Sequence, residues 1–163
     1  MSRSQKVSSV AWLLLAAVSL WGSRSPQLAA LDPMAFPNEF RQWAHPTTIV
    51  NESPNDPRYG YHDVYVNEKS LDKNSNQGVY PDGSKVLLLF YDLEKTPNDY
   101  GRGQLKNYLL MVKDEQLYMK TGGWGFASFA PDTTRQVLDV QKECWSCHSN
   151  QSRTDYVFTN FSQ

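Results

Sequence analysis

The sequence predicts an α+β fold: an antiparallel sheet of about five strands with flanking helices. Three observations carry that prediction. Apolar runs rich in β-branched and aromatic residues recur between Asp63 and Phe129, polar loops rather than regular crossover helices join them, and helix-like stretches stand near both ends. Strands joined in this way pair antiparallel, whereas parallel pairing needs a crossover of a dozen or more residues. No internal repeat is visible. The 163 residues are read as one folded domain behind a leader, with a core large enough to stand without disulfide staples.

Residues 1–30 are read as a signal peptide and excluded from the fold, leaving 31–163 as the domain. Arg3 and Lys6 precede an apolar run from Val10 to Trp21, with small residues around Ala29 and Ala30. That run is short of the ~20 residues that span a bilayer. Export with cleavage is therefore preferred over an uncleaved amino-terminal anchor, and no membrane span is expected in the mature chain.

Pro37 then opens a helix-like segment, Asn38 to His45, with Phe40, Trp43 and Ala44 on one face and Pro46 as its stop. Asn51 to Gly60 carries Pro54 and Pro57 among polar residues and reads as a surface loop. Asp63–Asn67 reads as a strand. Glu68 to Gly78 is polar and weakly periodic, a short helix or a loop. Pro81-Asp82-Gly83-Ser84 is turn chemistry. It delivers Lys85–Tyr91, apolar on both faces and so expected at the centre of the sheet. A polar loop from Lys95 to Gly103 leads to the strand Asn107–Lys113. The last strand is Trp124–Phe129, where the missing side chain of Gly125 makes room for a bulky neighbour. Arg135–Glu143 reads as a helix leading into the cysteine pair.

That pair carries the chemistry. Cys144-Trp145-Ser146-Cys147-His148 has the Cys-x-x-Cys-His spacing of covalent haem attachment. On a helical turn the cysteines stand at i and i+3 and His148 at i+4 from Cys144, so two sulfurs and one imidazole share a face. The thiols can form thioethers with a porphyrin while His148 reaches the iron as proximal ligand. A disulfide, a thioredoxin-like pair and half of a zinc site share the Cys-x-x-Cys spacing. A zinc site lacks its remaining ligands, since the chain has two cysteines in all and its other histidines, His45 and His62, lie far upstream. A thioredoxin-like pair belongs at a helix start in a βαβ unit, and here a helix-like segment precedes it. Export and haem attachment support each other, because covalent attachment is completed outside the bacterial cytoplasm. A periplasmic or secreted protein with one covalent haem c per chain is expected.

A formal charge of −1 with no basic stripe argues against nucleic acid as a partner. No methionine follows His148; Met111 and Met119 precede it, and a methionine in an apolar strand is more often core than ligand. His45 and His62 are more often structural than ligating. An open sixth position is therefore expected, suited to a small gaseous ligand.

Beyond the haem motif, the ordered segments Phe40-x-x-Trp43, Val64–Asn67, Tyr80–Ser84, Gly123–Phe129, Cys144–Ser149 and Thr154-Asp155-Tyr156-Val157-Phe158-Thr159 resemble those of the cytochrome P-460 family, over nearly all of the mature chain. The resemblance implies an antiparallel sheet with helices, a periplasmic c-type haem with His148 proximal, frequent homodimers, and chemistry on hydroxylamine or nitric oxide. Family members that oxidise hydroxylamine have a lysine on the strand after the Asp-Gly turn tied covalently to the porphyrin and an acidic residue in the distal pocket for proton transfer; alignment places Leu88 and Leu109 at those positions. Lys85, three residues from Leu88 on a strand, faces the opposite side.

An apolar pocket favours neutral diatomic ligands over charged intermediates. This is similar to the cytochrome c-prime-beta branch. The expected cofactor-binding residues are Cys144, Cys147 and His148, with Leu88, Phe90 and Leu109 lining the pocket and His148 on the metal; no catalytic residue is assigned. If Leu88 faces the haem, Val86 and Phe90 share its side, and Met111 shares that of Leu109. The leading function is nitric oxide or carbon monoxide binding. A hydroxylamine or nitric oxide oxidoreductase is the alternative, and an electron-transfer cytochrome a further one.

Overall fold

The computed structural model describes residues 32–72 and 78–158, so the expected signal peptide lies outside the described residues. Six strands form one open antiparallel sheet in chain order: β1 (Ala44–Asn51), β2 (Gly60–Val66), β3 (Lys85–Lys95), β4 (Tyr100–Lys113), β5 (Trp124–Phe129) and β6 (Arg135–Gln136). With the short helices around it this is the expected α+β class, and Lys85–Tyr91 is central as its two-sided apolarity requires.

The two faces bury different segments. Leu87, Leu89, Leu110, Val112, Ala127 and Phe129 point to one side, where Met34, Phe36, Phe40 and Trp43 of the amino-terminal segment cover them. Phe36 meets Tyr108 and Phe129 edge-on at 4.9 and 5.3 Å, arrangements worth ~0.5–1.5 kcal/mol beyond their buried area. The alternate residues Val64, Val86, Leu88, Met111 and Phe126 point the other way, toward the carboxy-terminal segment.

Three local expectations are corrected. Asn38 to His45 is not one helix: a 3-10 turn covers Phe40–Gln42, and the chain enters β1 at Ala44. Pro46 stands inside this edge strand, where the register with β2 shifts between Ala44 and Thr47, a place where a missing N–H costs no ladder bond. The Lys95–Gly103 loop is much shorter than expected. β3 runs to Lys95 and β4 starts at Tyr100, the hairpin being closed by Thr96, which both donates to and receives from Asp99; polarity on both faces hid these strand ends from an alternation test.

The third correction concerns Arg135–Glu143. Arg135 and Gln136 pair with Phe129 and Ser128 as β6, and helical winding starts only at Val140. Val137, between them, is fully exposed. The start signal is Asp139, whose carboxylate accepts from the Lys142 N–H while its own N–H reaches Glu143 Oε1 at 2.9 Å, a reciprocal cap.

Other expectations hold. Asn67 caps the one-turn helix α1 (Glu68–Leu71), its side chain accepting from Ser70 N–H, Ser70 hydroxyl and Lys85 N–H. The Pro81–Ser84 turn is closed by Ser84 N–H to Pro81 carbonyl at 3.0 Å, and Gly83 adopts φ +85°, the left-handed conformation needed at the third position of such a turn. Gly125 does make room for a bulky neighbour, and that neighbour is the ring of Tyr118.

Candidate functional site

The carboxy-terminal segment brings the haem motif to the sheet. Val140–Trp145 winds as a π-helix, Ser146–His148 adds one α-helical turn (α2), and Ser149–Thr154 continues as 3-10. Cys144, Cys147 and His148 all line one cavity of about 930 Å³, at the upper end of the ~300–1,000 Å³ usual for ligand pockets. The shared face expected from the spacing is therefore present, although the first turn is π rather than α.

The opposing wall is the sheet. Leu88 of β3 pairs directly with Leu109 of β4, and Leu88 also pairs with Val64 of β2. Leu88, Phe90 and Leu109 line the cavity, joined by Val86, Met111, Val64 and Ile49. The strand alternation thus places Val86 and Phe90 with Leu88, and Met111 with Leu109. Lys85 pairs with Val112 on the other side, as its odd spacing from Leu88 demands.

His148 is held from behind. Its Nδ1 lies 2.6 Å from the Tyr156 carbonyl oxygen; a carbonyl only accepts, so Nδ1 carries the proton and Nε2 keeps its lone pair. Burial pulls its pKa below the usual 6.5, against the opposing pull of the Tyr156 carbonyl, which favours the neutral imidazole a metal needs. Phe126 and Phe158 flank the ring at 5.1 and 4.8 Å. The two cysteines are free thiols. Burial, then the charges of Glu143 and Cys147, push the Cys144 thiol up to about 11, so it is protonated at neutral pH.

These groups fit a haem. A planar apolar cofactor needs a wide apolar slot, an imidazole with a free Nε2 and, for attachment, two reduced thiols on one side; the cavity offers all three. Zinc fits poorly, since no group of three or more His, Cys, Asp or Glu among the described residues is arranged to hold a metal ion.

Sequence reasoning did not single out three contributors. Phe126 was seen only as part of a strand; its alternation with Trp124 puts it on the cavity side. Arg58, from the loop after β1, sits with its guanidinium 5.6 Å above the Phe158 ring and lines the cavity; no local signal marks a loop residue for that place. His62, read as structural, is a hydrogen-bonded core residue, its Nε2 donating to the Arg58 carbonyl at 2.7 Å, and it lines the cavity as well. Burial lowers its pKa. His45 is on the opposite face of the sheet, 3.3 Å from the buried carboxylate of Asp63. Met119 is exposed.

A sheet closing with a two-thiol, one-imidazole helix over a cavity with an apolar sheet wall has the donor set of a haem-binding protein. The chain belongs to the cytochrome P460 family, whose model matches residues 37–159. Family membership implies a haem cofactor. Comparison with curated proteins gives no match. Among the described residues no helix is long and apolar enough to cross a membrane.

Proposed function

We propose that this chain is a periplasmic c-type haem protein of the cytochrome c-prime-beta kind, binding nitric oxide or carbon monoxide for scavenging or sensing. The observation that carries the reading is the direct pairing of Leu88 with Leu109 on the cavity wall.

Attachment needs no oxidant. Each thiol, Cys144 and Cys147, would hold the haem by adding across a porphyrin vinyl group: an S–C bond would form, the vinyl π bond would be lost, and the sulfur's hydrogen would end on the neighbouring carbon. The export signal read in residues 1–30 delivers both thiols to a compartment where that chemistry is completed. His148 Nε2, unprotonated because Nδ1 donates to Tyr156, would be the proximal ligand. When bound, the haem would supply an iron able to take a small molecule. Leu88, Phe90 and Leu109 exclude water and offer no charge partner, which favours a neutral diatomic over a charged nitrogen species.

Hydroxylamine or nitric oxide oxidation is the second reading, and His62 favours it. This neutral imidazole lines the cavity and is the one ring nitrogen donor there besides His148 among the described histidines. An electron-transfer cytochrome would need a sixth ligand, for which Met111 in the wall is the candidate.

A reduced-minus-oxidised absorption spectrum separates the three. A broad high-spin spectrum that shifts on adding nitric oxide to the ferrous protein supports the first reading. A strongly red-shifted band marks a cross-linked oxidoreductase, and a sharp low-spin α band marks a carrier. Haem staining on a denaturing gel tests attachment: the stain is expected in the wild type matured by a haem c export system, weaker in Cys144→Ala and in Cys147→Ala. His148→Ala is expected to keep the stain while changing the spectrum.

A further inference from the structure

The cavity face of β4 runs Leu109, Met111, Lys113, and its last residue is a lysine only 2% exposed. Its ammonium is saturated by the protein: Nζ donates to both Asp155 oxygens at 2.9 and 3.1 Å and to the Gly122 carbonyl at 3.2 Å, and it stands 5.5 Å over the Trp124 ring. Glu115 is at 3.8 Å on the exposed side.

Asp155 and Tyr156 both adopt positive φ, 51° and 64°, a conformation that disfavours side chains with a Cβ. Two successive residues of this kind persist only where their surroundings hold them. Here the surroundings are specific. The Asp155 carboxylate takes the Tyr80 N–H as well as Lys113, the Asp155 carbonyl takes the Trp124 indole N–H at 2.8 Å, and the Tyr156 N–H is fixed to the Gln151 carbonyl at 2.8 Å. The Tyr156 ring lies on Gly122, where an added Cβ would overlap it. The result of this bend is the Tyr156 carbonyl aimed at His148 Nδ1, at a distance shorter than the usual N–H···O range.

The geometry points to Lys113 and Asp155 as positioning residues for the haem ligand. They act through the Tyr156 carbonyl, fixing the orientation and tautomer of His148 and strengthening Nε2 as a donor, and so lowering the reduction potential of the iron. The partner of a ligating imidazole sets its basicity, and the ligand field sets the potential. This rests on the reading of His148 as proximal ligand.

The test uses the haem-loaded protein, with the ferrous iron–histidine stretching frequency and the midpoint potential as readouts. Lys113→Met and Asp155→Asn are expected to lower the frequency and raise the potential, and Lys113→Arg to restore most of both. A folded, haem-loaded Lys113→Met or Asp155→Asn protein with wild-type frequency and potential overturns the proposal and leaves the pair structural. Should those variants fail to load haem, His148→Gly in the native network decides. Its haem is expected to bind added imidazole more tightly than 1-methylimidazole, which has no N–H for the Tyr156 carbonyl; equal affinities overturn the proposal. A His148→Gly spectrum unchanged from wild type would instead refute the ligand assignment.

Discussion

Leu88 and Leu109 are direct cross-strand partners, and both line the cavity that also holds Cys144, Cys147 and His148. Cβ atoms of such partners lie about 4.5–5.5 Å apart, so charges placed at the two positions would meet. Leu88→Lys and Leu109→Glu are each expected to destabilise the protein by burying an unpaired charge. The double variant should recover part of that loss, with a coupling of about 0.5–3 kcal/mol in a double-mutant cycle read by urea denaturation.

The same pair predicts the chemistry. Removing protons and electrons from hydroxylamine needs a base near the iron; Leu88 and Leu109 supply none, and the His62 imidazole in the cavity wall is tied through Nε2 to the Arg58 carbonyl. The wild type is expected to bind nitric oxide in its ferrous form and to turn over hydroxylamine slowly or not at all with an artificial acceptor. Leu88→Lys/Leu109→Glu is the variant expected to gain turnover, with mass spectrometry reporting any lysine adduct. Rapid turnover by the wild type, with no adduct in its mass spectrum, would sink this account.

His62 predicts a pH dependence. Burial is the main cause holding its pKa below 6.5 in the fold. The unfolded chain therefore binds its proton first, and folding stability is lost as pH falls below about 6.5 toward the depressed value, with no further loss from this group below it. Denaturation midpoints between about pH 7.5 and about pH 5.5, one pH unit either side of the ordinary histidine pKa, should fall in the wild type. His62→Gln should flatten the part of the curve that His62 contributes.

Lys113→Met should cost about 3–5 kcal/mol, because it strands the carboxylate of Asp155 in a buried setting. Lys106→Ala breaks a half-exposed pair with Asp92 and should cost under about 1 kcal/mol. Comparable losses in the two variants would contradict the burial argument.

Gly122→Ala introduces a Cβ at φ +63° and against the Tyr156 ring. The backbone alone costs about 1–2 kcal/mol, and the ring must shift as well. A lower unfolding midpoint together with an altered haem spectrum is expected; loss of stability with an unchanged spectrum would separate Tyr156 ring packing from the hold on His148.

Much of this protein is determined by the sequence itself. Cys-x-x-Cys-His specifies three groups on one face of a helical turn. Alternation along Lys85–Tyr91 and Asn107–Lys113 determines that Val86, Leu88 and Phe90 share a side and that Leu109 and Met111 share another strand's side, because successive strand residues point to opposite faces. The tertiary structure decided what local pattern could not. Pro46 reads as a helix stop until β2 is there to pair with the edge strand that contains it. Arg135 and Gln136 are strand because Phe129 and Ser128 lie beside them, and the helix waits for the cap at Asp139. Lys113 reads as the polar end of a strand, yet it is buried because Asp155, 42 positions later, brings the compensating charge. No window along the chain contains that pair, and without the pair the bend that aims the Tyr156 carbonyl at His148 loses the ionic contact that braces it.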